Sequence, residues 1–219
     1  MFEEMLPEYV NLVSAEPWMW ATPLIDAEET LVVRAVEKRK REFRAGRHCA
    51  KRALEKSGIH NFPLLKAASR EPLWPNDRVG SITHSGDQCA AAVAKKEDCR
   101  SIGIDVESAS PLGEEQEKYI CTKKELAIYK AQNVHNVDLP KLCFSAKECI
   151  HKVYYPLNQH MLDFLDAEVE FNIPQQTFTA TIIKPEANPR HQITKLNGVY
   201  RVNELYVFTA IVLTERELC

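Results

Sequence analysis

No run of about 18 apolar residues occurs in the 219-residue chain, so no membrane-spanning helix is expected. The seven cysteines (Cys49, Cys89, Cys99, Cys121, Cys143, Cys149 and Cys219) include no CxxC pair and match no zinc template. An odd number of scattered thiols suits free cysteines in a reducing compartment rather than a disulfide framework. Glycine is scarce, with seven residues, and no Gly-rich loop of Walker or Rossmann spacing is present. The opening segment MFEEMLPEYV is acidic and lacks the basic start and apolar stretch of a secretion signal. A cytoplasmic protein is expected.

What is present is ordinary globular material: 45% hydrophobic and 27% charged residues, enough for a sizeable core. Charge is unevenly placed. Residues 34–52 (RAVEKRKREFRAGRHCAKR) hold nine Lys/Arg and two Glu, a local +7 in a chain whose net charge is −3. A basic strip on an acidic body points to a localised anion site rather than a general nucleic-acid surface.

Apolar periodicity predicts one long helix or two abutting ones over Glu28–Lys56, with Gly46 as a weak point. Pro63, Pro72, Pro75 and Gly80 make residues 61–80 loop. Val79–His84, Cys89–Lys95 and Ser101–Glu107 read as strands, Thr122–Lys130 and Ser145–Tyr155 as helices, each opened by a capping-box pattern. Pro156 is expected to stop the second. From Val169 onward EVEFNI, TFTATII and NELYVFTAIVL are strand-like. The fold class is therefore α+β. Helix followed by strands in each half suggests two related subdomains, residues 1–105 and 106–219.

Four constellations carry candidate chemistry. In Gly103-Ile104-Asp105-Val106-Glu107 the two carboxylates lie two apart on a strand and project together. They form either a polar strand face or half of a site for a hard cation. In FSAKECIHK, Glu148 and Lys152 share a helix face; they suit either a metal-and-phosphate grip or a capping box with a surface ion pair. In GSITHS, His84 sits either in a polar turn or at a phosphate. Within the basic strip, Lys38–Arg41 read as a solvated face, whereas Arg44, Arg47, His48 and Lys51 are anion candidates, Arg47 foremost.

Taken in order, EFRAGRHCAKRAL, REPLWPNDRVGSITHS, IGIDVE and FSAKECIHKVYYP resemble the two-subdomain 4'-phosphopantetheinyl transferases, most of all the enterobactin-synthetase type. The resemblance runs from Glu42 to Pro156, with Phe144 standing where the WSxKE-type motif has Trp. It implies two similar α+β halves related by a pseudo-twofold, with a cleft between them, in a monomer. It implies Mg²⁺, or Mn²⁺ in its place, held by Asp105, Glu107 and Glu148, and coenzyme A as substrate. Lys152 would bind the diphosphate, and Arg47, Arg70 and His84 the nucleotide-end phosphates; Glu71 separates Arg70 from Pro72, where relatives have the basic residue directly before proline. Asp105 would also face the coenzyme, and Glu148 and Lys152 would be the catalytic pair. The partner would be an apo acyl, peptidyl or aryl carrier protein, with siderophore biosynthesis the favoured setting.

Two other readings use the same residues. A metal-dependent nucleotide phosphohydrolase would also cluster carboxylates with Lys and His. A nucleic-acid-binding module would use the basic strip, although Phe43 is its only aromatic and stacking support is poor.

Overall fold

The computed structural model describes residues 1–132, 134, 137–185 and 189–215. The chain divides into two compact units, Pro7–Cys99 and Met1–Leu6 with Arg100–Cys219. The boundary expected after residue 105 falls inside a strand, Ser101–Ser108, of the second unit. Each unit joins an antiparallel sheet to one 20-residue helix.

In the first unit, strands β1 (Asn11–Ser14), β2 (Arg78–Ser85) and β3 (Gln88–Lys95) form a sheet of order β1-β3-β2. β3 is the central strand and is buried on both faces, which explains its unbroken apolar run CAAAVA. Where one long helix or two abutting ones were expected, helix α1 (Asp26–Glu29) and helix α2 (Glu37–Lys56) are separated by residues 30–36. The interruption contains three β-branched valines, Val32, Val33 and Val36, the last two exposed. Small residues Ala45, Cys49, Ala50 and Ala53 line the buried face of α2, so helix and Ala-rich strand approach closely. Gly46 belongs to that contact: a Cβ there would lie 2.9 Å from Ile82 Cγ2. Its helix-weakening cost of about 1 kcal/mol is the cost of the close approach.

The second unit contains β4 (Ser101–Ser108), α3 (Glu114–Ile120), α4 (Lys123–Gln132), α5 (Leu139–Asn158), β5 (Ala167–Asn172), β6 (Thr177–Ile182), β7 (Lys195–Val202) and β8 (Tyr206–Leu213). Its sheet has the order β4-β8-β7-β6-β5. β5 to β8 form a meander, and the chain then closes by laying β8 beside β4, Asp105 opposite Thr209. Leu142, Cys143, Ala146, Ile150 and Val153 of α5 belong to the core with Phe178, Leu196 and Ile211 of the sheet. Each fully buried Leu or Ile there contributes about 1.5–3 kcal/mol.

Two sequence expectations are corrected in α5. The helix opens at Leu139, not at Ser145: Asp138 is its N-cap, accepting from Lys141 N at 2.7 Å, and Pro140 occupies the first turn, where a missing N–H costs nothing. Ser145 is therefore mid-helix and Glu148 is no capping-box residue. Nor does Pro156 stop the helix. It lies in the last turn, and Gln159 ends the helix in a left-handed conformation, φ 54°, donating its N–H to Tyr155 O at 2.7 Å. The Thr122 capping box is present as read: Glu125 N donates to Thr122 Oγ1 at 3.2 Å and Thr122 N to Glu125 Oε2 at 2.6 Å.

Candidate active site

β4 and α5 meet through a close backbone approach. A Cβ on Gly103 would lie 2.4 Å from Cys149 O, so only glycine lets the helix lie this near the strand. Cys149 Sγ donates to Gly103 O at 2.9 Å. This contact fixes the height at which the polar residues of both elements face one another. Asp105, 4% exposed, accepts from Lys152 Nζ on Oδ1 at 2.7 Å and from Ser145 Oγ on Oδ2 at 2.8 Å. Lys152 Nζ also donates to Ile104 O at 3.0 Å. Of the two readings open for Glu148 and Lys152, the surface ion pair does not form; Lys152 pairs instead with the buried Asp105.

Glu107 and Glu148 are half-buried beside this pair. Burial first, and then the charge of Asp105, push the Glu107 carboxyl up to about 7, against the pull of Lys141 and Lys152. Glu148 is likewise raised by burial and by Asp105, against Lys152. Burial works against the charge of Lys152, but Asp105 and then Glu148 outweigh it and hold the ammonium above its ordinary value. Asp105, Glu107 and Glu148 thus share one electrostatic neighbourhood. Their ligand atoms do not all come within 4.8 Å of one another, since among the described residues Cys121, Glu125 and Cys143 are the one set of three that does.

That second set is a structural knot. Glu125 accepts from Thr122 N, Val169 N at 2.7 Å, Lys147 Nζ at 2.8 Å and Cys143 Sγ at 3.5 Å, so neither oxygen is left for a cation. Burial holds the Cys143 thiol well above its ordinary value, away from the thiolate a zinc ion needs. Lys147 donates also to Ile120 O and Phe164 O, each at 2.8 Å, which uses all three of its protons. Of the neighbouring Lys147 and Glu148, the first is a core residue and the second faces the acid cluster.

A cavity of 340 Å³ opens beside Glu148, walled by Ile150, His151, Met161, Leu162 and Phe164 among others. Burial and then Lys152 lower His151 below its ordinary value, so it is neutral at pH 7.

The first unit carries a separate cationic pocket of 360 Å³. Arg47, Arg70 and His84, the three residues singled out in the sequence for phosphates, all line it. So do Arg39 and Lys66. Arg39 is exposed, as expected for the solvated face Lys38–Arg41, and from there its Nη1 donates to His84 Nε2 at 2.8 Å. Since arginine only donates, His84 Nε2 is here the accepting nitrogen of a neutral ring. Glu42 Oε2 lies 3.7 Å from Arg39 and 3.9 Å from His84 Nδ1. Glu42 and the four Lys/Arg leave a net +3 among the lining residues.

Arg47 stands apart within this pocket. It is 6% exposed, its guanidinium lies 4.4 Å over the Phe43 ring, and its buried Nε has no hydrogen-bond partner among the described residues. Burial pushes it down to about 10, partly countered by Glu28. A buried cation without a bonded carboxylate is costly unless an anion completes it. Arg44 shows the contrast one turn away, bound by Glu29 through Nε at 2.9 Å and Nη2 at 3.0 Å. His48 is likewise engaged, with Thr22 O at 3.0 Å and packed edge-on against Trp18.

The first unit thus carries a cationic pocket, and the second an acid cluster beside a mostly apolar cavity. Comparison with known proteins gives the class its name. Residues 27–94 match the 4'-phosphopantetheinyl transferase N-terminal domain, and residues 101–208 the 4'-phosphopantetheinyl transferase superfamily. The chain is 33% identical over 218 residues to the 4'-phosphopantetheinyl transferase PptT of Mycobacterium tuberculosis, covering 97% of this chain and 94% of the relative. It is 36% identical over 191 residues to Svp of Streptomyces mobaraensis, covering 86% and 78%. Enterobactin synthase component D of Salmonella typhi matches over 122 residues at 31% identity, 55% of this chain and 50% of that one. The chain belongs to the 4'-phosphopantetheinyl transferase superfamily. No described helix is long and apolar enough to cross a membrane.

Proposed function

We propose that the protein transfers the 4'-phosphopantetheine arm of coenzyme A to a serine hydroxyl of an apo acyl, peptidyl or aryl carrier protein, releasing adenosine 3',5'-bisphosphate. The observation that carries this reading is Arg47, a buried guanidinium without a bonded carboxylate, lining one cationic pocket with Arg70 and His84. These groups suit the phosphates of the nucleotide end, which arginine grips bidentately.

Asp105, Glu107 and Glu148 would hold a magnesium ion, with manganese as substitute. The donor set fits: three carboxylates supply the hard oxygens this cation takes, and the raised Glu107 and Glu148 are groups that a positive charge would relieve. When bound, the cation would neutralise charge on the diphosphate and on the leaving bisphosphate. Lys152 adds a fixed point charge for the diphosphate. The carrier serine oxygen attacks the β-phosphorus, and the bond from that phosphorus to the bridging oxygen breaks. Glu148 would accept the serine proton, directly or through a water it orients. The mostly apolar cavity beside Glu148 would take the uncharged arm and keep water from the reacting phosphorus.

The test is incubation with coenzyme A, magnesium and a panel of apo carrier proteins. A mass gain of one phosphopantetheine on the carrier serine is expected. Phosphate release from coenzyme A without any carrier would instead support a phosphohydrolase. The choice of carrier in that panel would reveal whether siderophore carriers are served, and a cytoplasmic monomer is the state expected for this activity.

A further inference from the structure

β4 and α5 run past each other in a fixed register. Ser101 Oγ donates to Val153 O at 3.1 Å, Cys149 Sγ to Gly103 O at 2.9 Å, and Ser145 Oγ to Asp105 Oδ2 at 2.8 Å. Each step of four residues back along the helix, about 6 Å, matches two residues forward on the strand, about 6.6 Å. The next step brings Lys141 level with Glu107. Lys141 is 9% exposed, and its ammonium lies 5.7 Å over the Phe144 ring. Among the described residues it has no ion pair within 4.0 Å, while Lys152 is bound to Asp105 and Lys147 to Glu125. The Lys141 side chain is thus largely buried, and the register makes Glu107 the carboxylate at its level. The Coulomb pull of Lys141 on Glu107 exceeds that of Lys152.

We propose that Lys141 is the fixed counter-charge of Glu107, a positioning residue that competes with the divalent cation for that carboxylate and so sets cation affinity. Lys152 stands in the same relation to Asp105, so one helix stripe supplies a cation opposite each carboxylate of β4. The inference rests on the cation reading of the acid cluster given above.

The test is Mn²⁺ binding to the chelator-treated full chain at pH 8, read from the electron paramagnetic resonance signal of free Mn²⁺. Lys141→Gln and Lys141→Met remove a positive charge beside the carboxylate that would hold the dication, and should tighten Mn²⁺ binding by about tenfold. Lys141→Arg keeps the charge and should bind as the unsubstituted protein does. Neutral variants with unchanged or weaker binding would overturn the proposal, as would neutral variants too unstable to bind while Lys141→Arg folds, since Lys141 would then serve packing. Absence of Mn²⁺ binding in the unsubstituted protein would overturn the cation reading itself, a result distinct from either.

Discussion

Lys147 and Lys152 lie five residues apart on one helix, and each meets a carboxylate, yet their surroundings differ. Lys147 and Glu125 have side chains 2% exposed, and every polar atom of the pair is spent on backbone or partner. Lys152 and Asp105 are 24% and 5% exposed and stand beside two further carboxylates with raised proton affinity. The first arrangement is complete within the protein and resists change. In the second, one lysine is bonded to one of three neighbouring acids, and Glu107 and Glu148 have no ion pair within 4.0 Å among the described residues. Saturation, rather than charge or burial, separates the two arrangements.

Removing Lys147 should break the comparison most violently. Lys147→Ala leaves Glu125 charged and buried, and a loss of about 3–5 kcal/mol is expected in urea unfolding. A loss below about 1 kcal/mol would show that the knot is dispensable. Glu148→Gln tests the other side. It should leave unfolding almost unchanged and lower carrier modification at saturating magnesium by about 10² or more. Retention of the full rate would remove Glu148 from the role of base.

A smaller effect is expected at the cationic pocket of the first unit. Arg47→Ala should raise the Michaelis constant for coenzyme A by about 10–100-fold, the loss of one charge-assisted contact, with less change in turnover. Dephospho-coenzyme A should be less affected; equal loss for both would show that Arg47 does not read the 3'-phosphate.

The smallest effect follows from pH. Glu107 is raised from its ordinary value to about 7, so the folded, metal-free protein holds this proton more tightly than the unfolded chain. Its contribution is therefore neutral below the unfolded value and becomes destabilising as pH rises toward about 7. Thermal melts of metal-free protein should fall modestly from pH 5 to pH 8, and the rise on adding magnesium should be larger at pH 8 than at pH 6. A magnesium shift independent of pH would contradict this placement of the acids.

Much of this was legible in the sequence because its signals are local. The alternation in IGIDVE put Asp105 and Glu107 on one strand face, and the strand reads for Ser101–Glu107 and Cys89–Lys95 match β4 and β3 within a residue. Arg47 and His84 stand out by residue type, Arg70 only through the family resemblance, and the fold lines one pocket with all three. What escaped depends on partners far along the chain. Ser145 reads as an N-cap because Ser-x-x-Glu is a true capping pattern; only the packing of Gly103 on Cys149 sends its hydroxyl to Asp105 instead. Lys147 looked like part of a site motif, and nothing nearby in sequence reveals that Ile120, Glu125 and Phe164 enclose it. Arg39 is solvated as read, but its contact with His84 escaped because that partner lies 45 residues away. Strand β7 was missed because KLNGVYRV interrupts its pattern with Asn197 and Gly198, whose place is filled by the ring of Phe178 on the paired strand.

The central claim is that Asp105, Glu107 and Glu148 act together through a divalent cation. It is tested most directly by the mass of an apo carrier protein after incubation with coenzyme A, with and without excess chelator. The account predicts one added phosphopantetheine with magnesium, none with chelator, and recovery when Mg²⁺ or Mn²⁺ is restored. Full modification in the presence of chelator would contradict it.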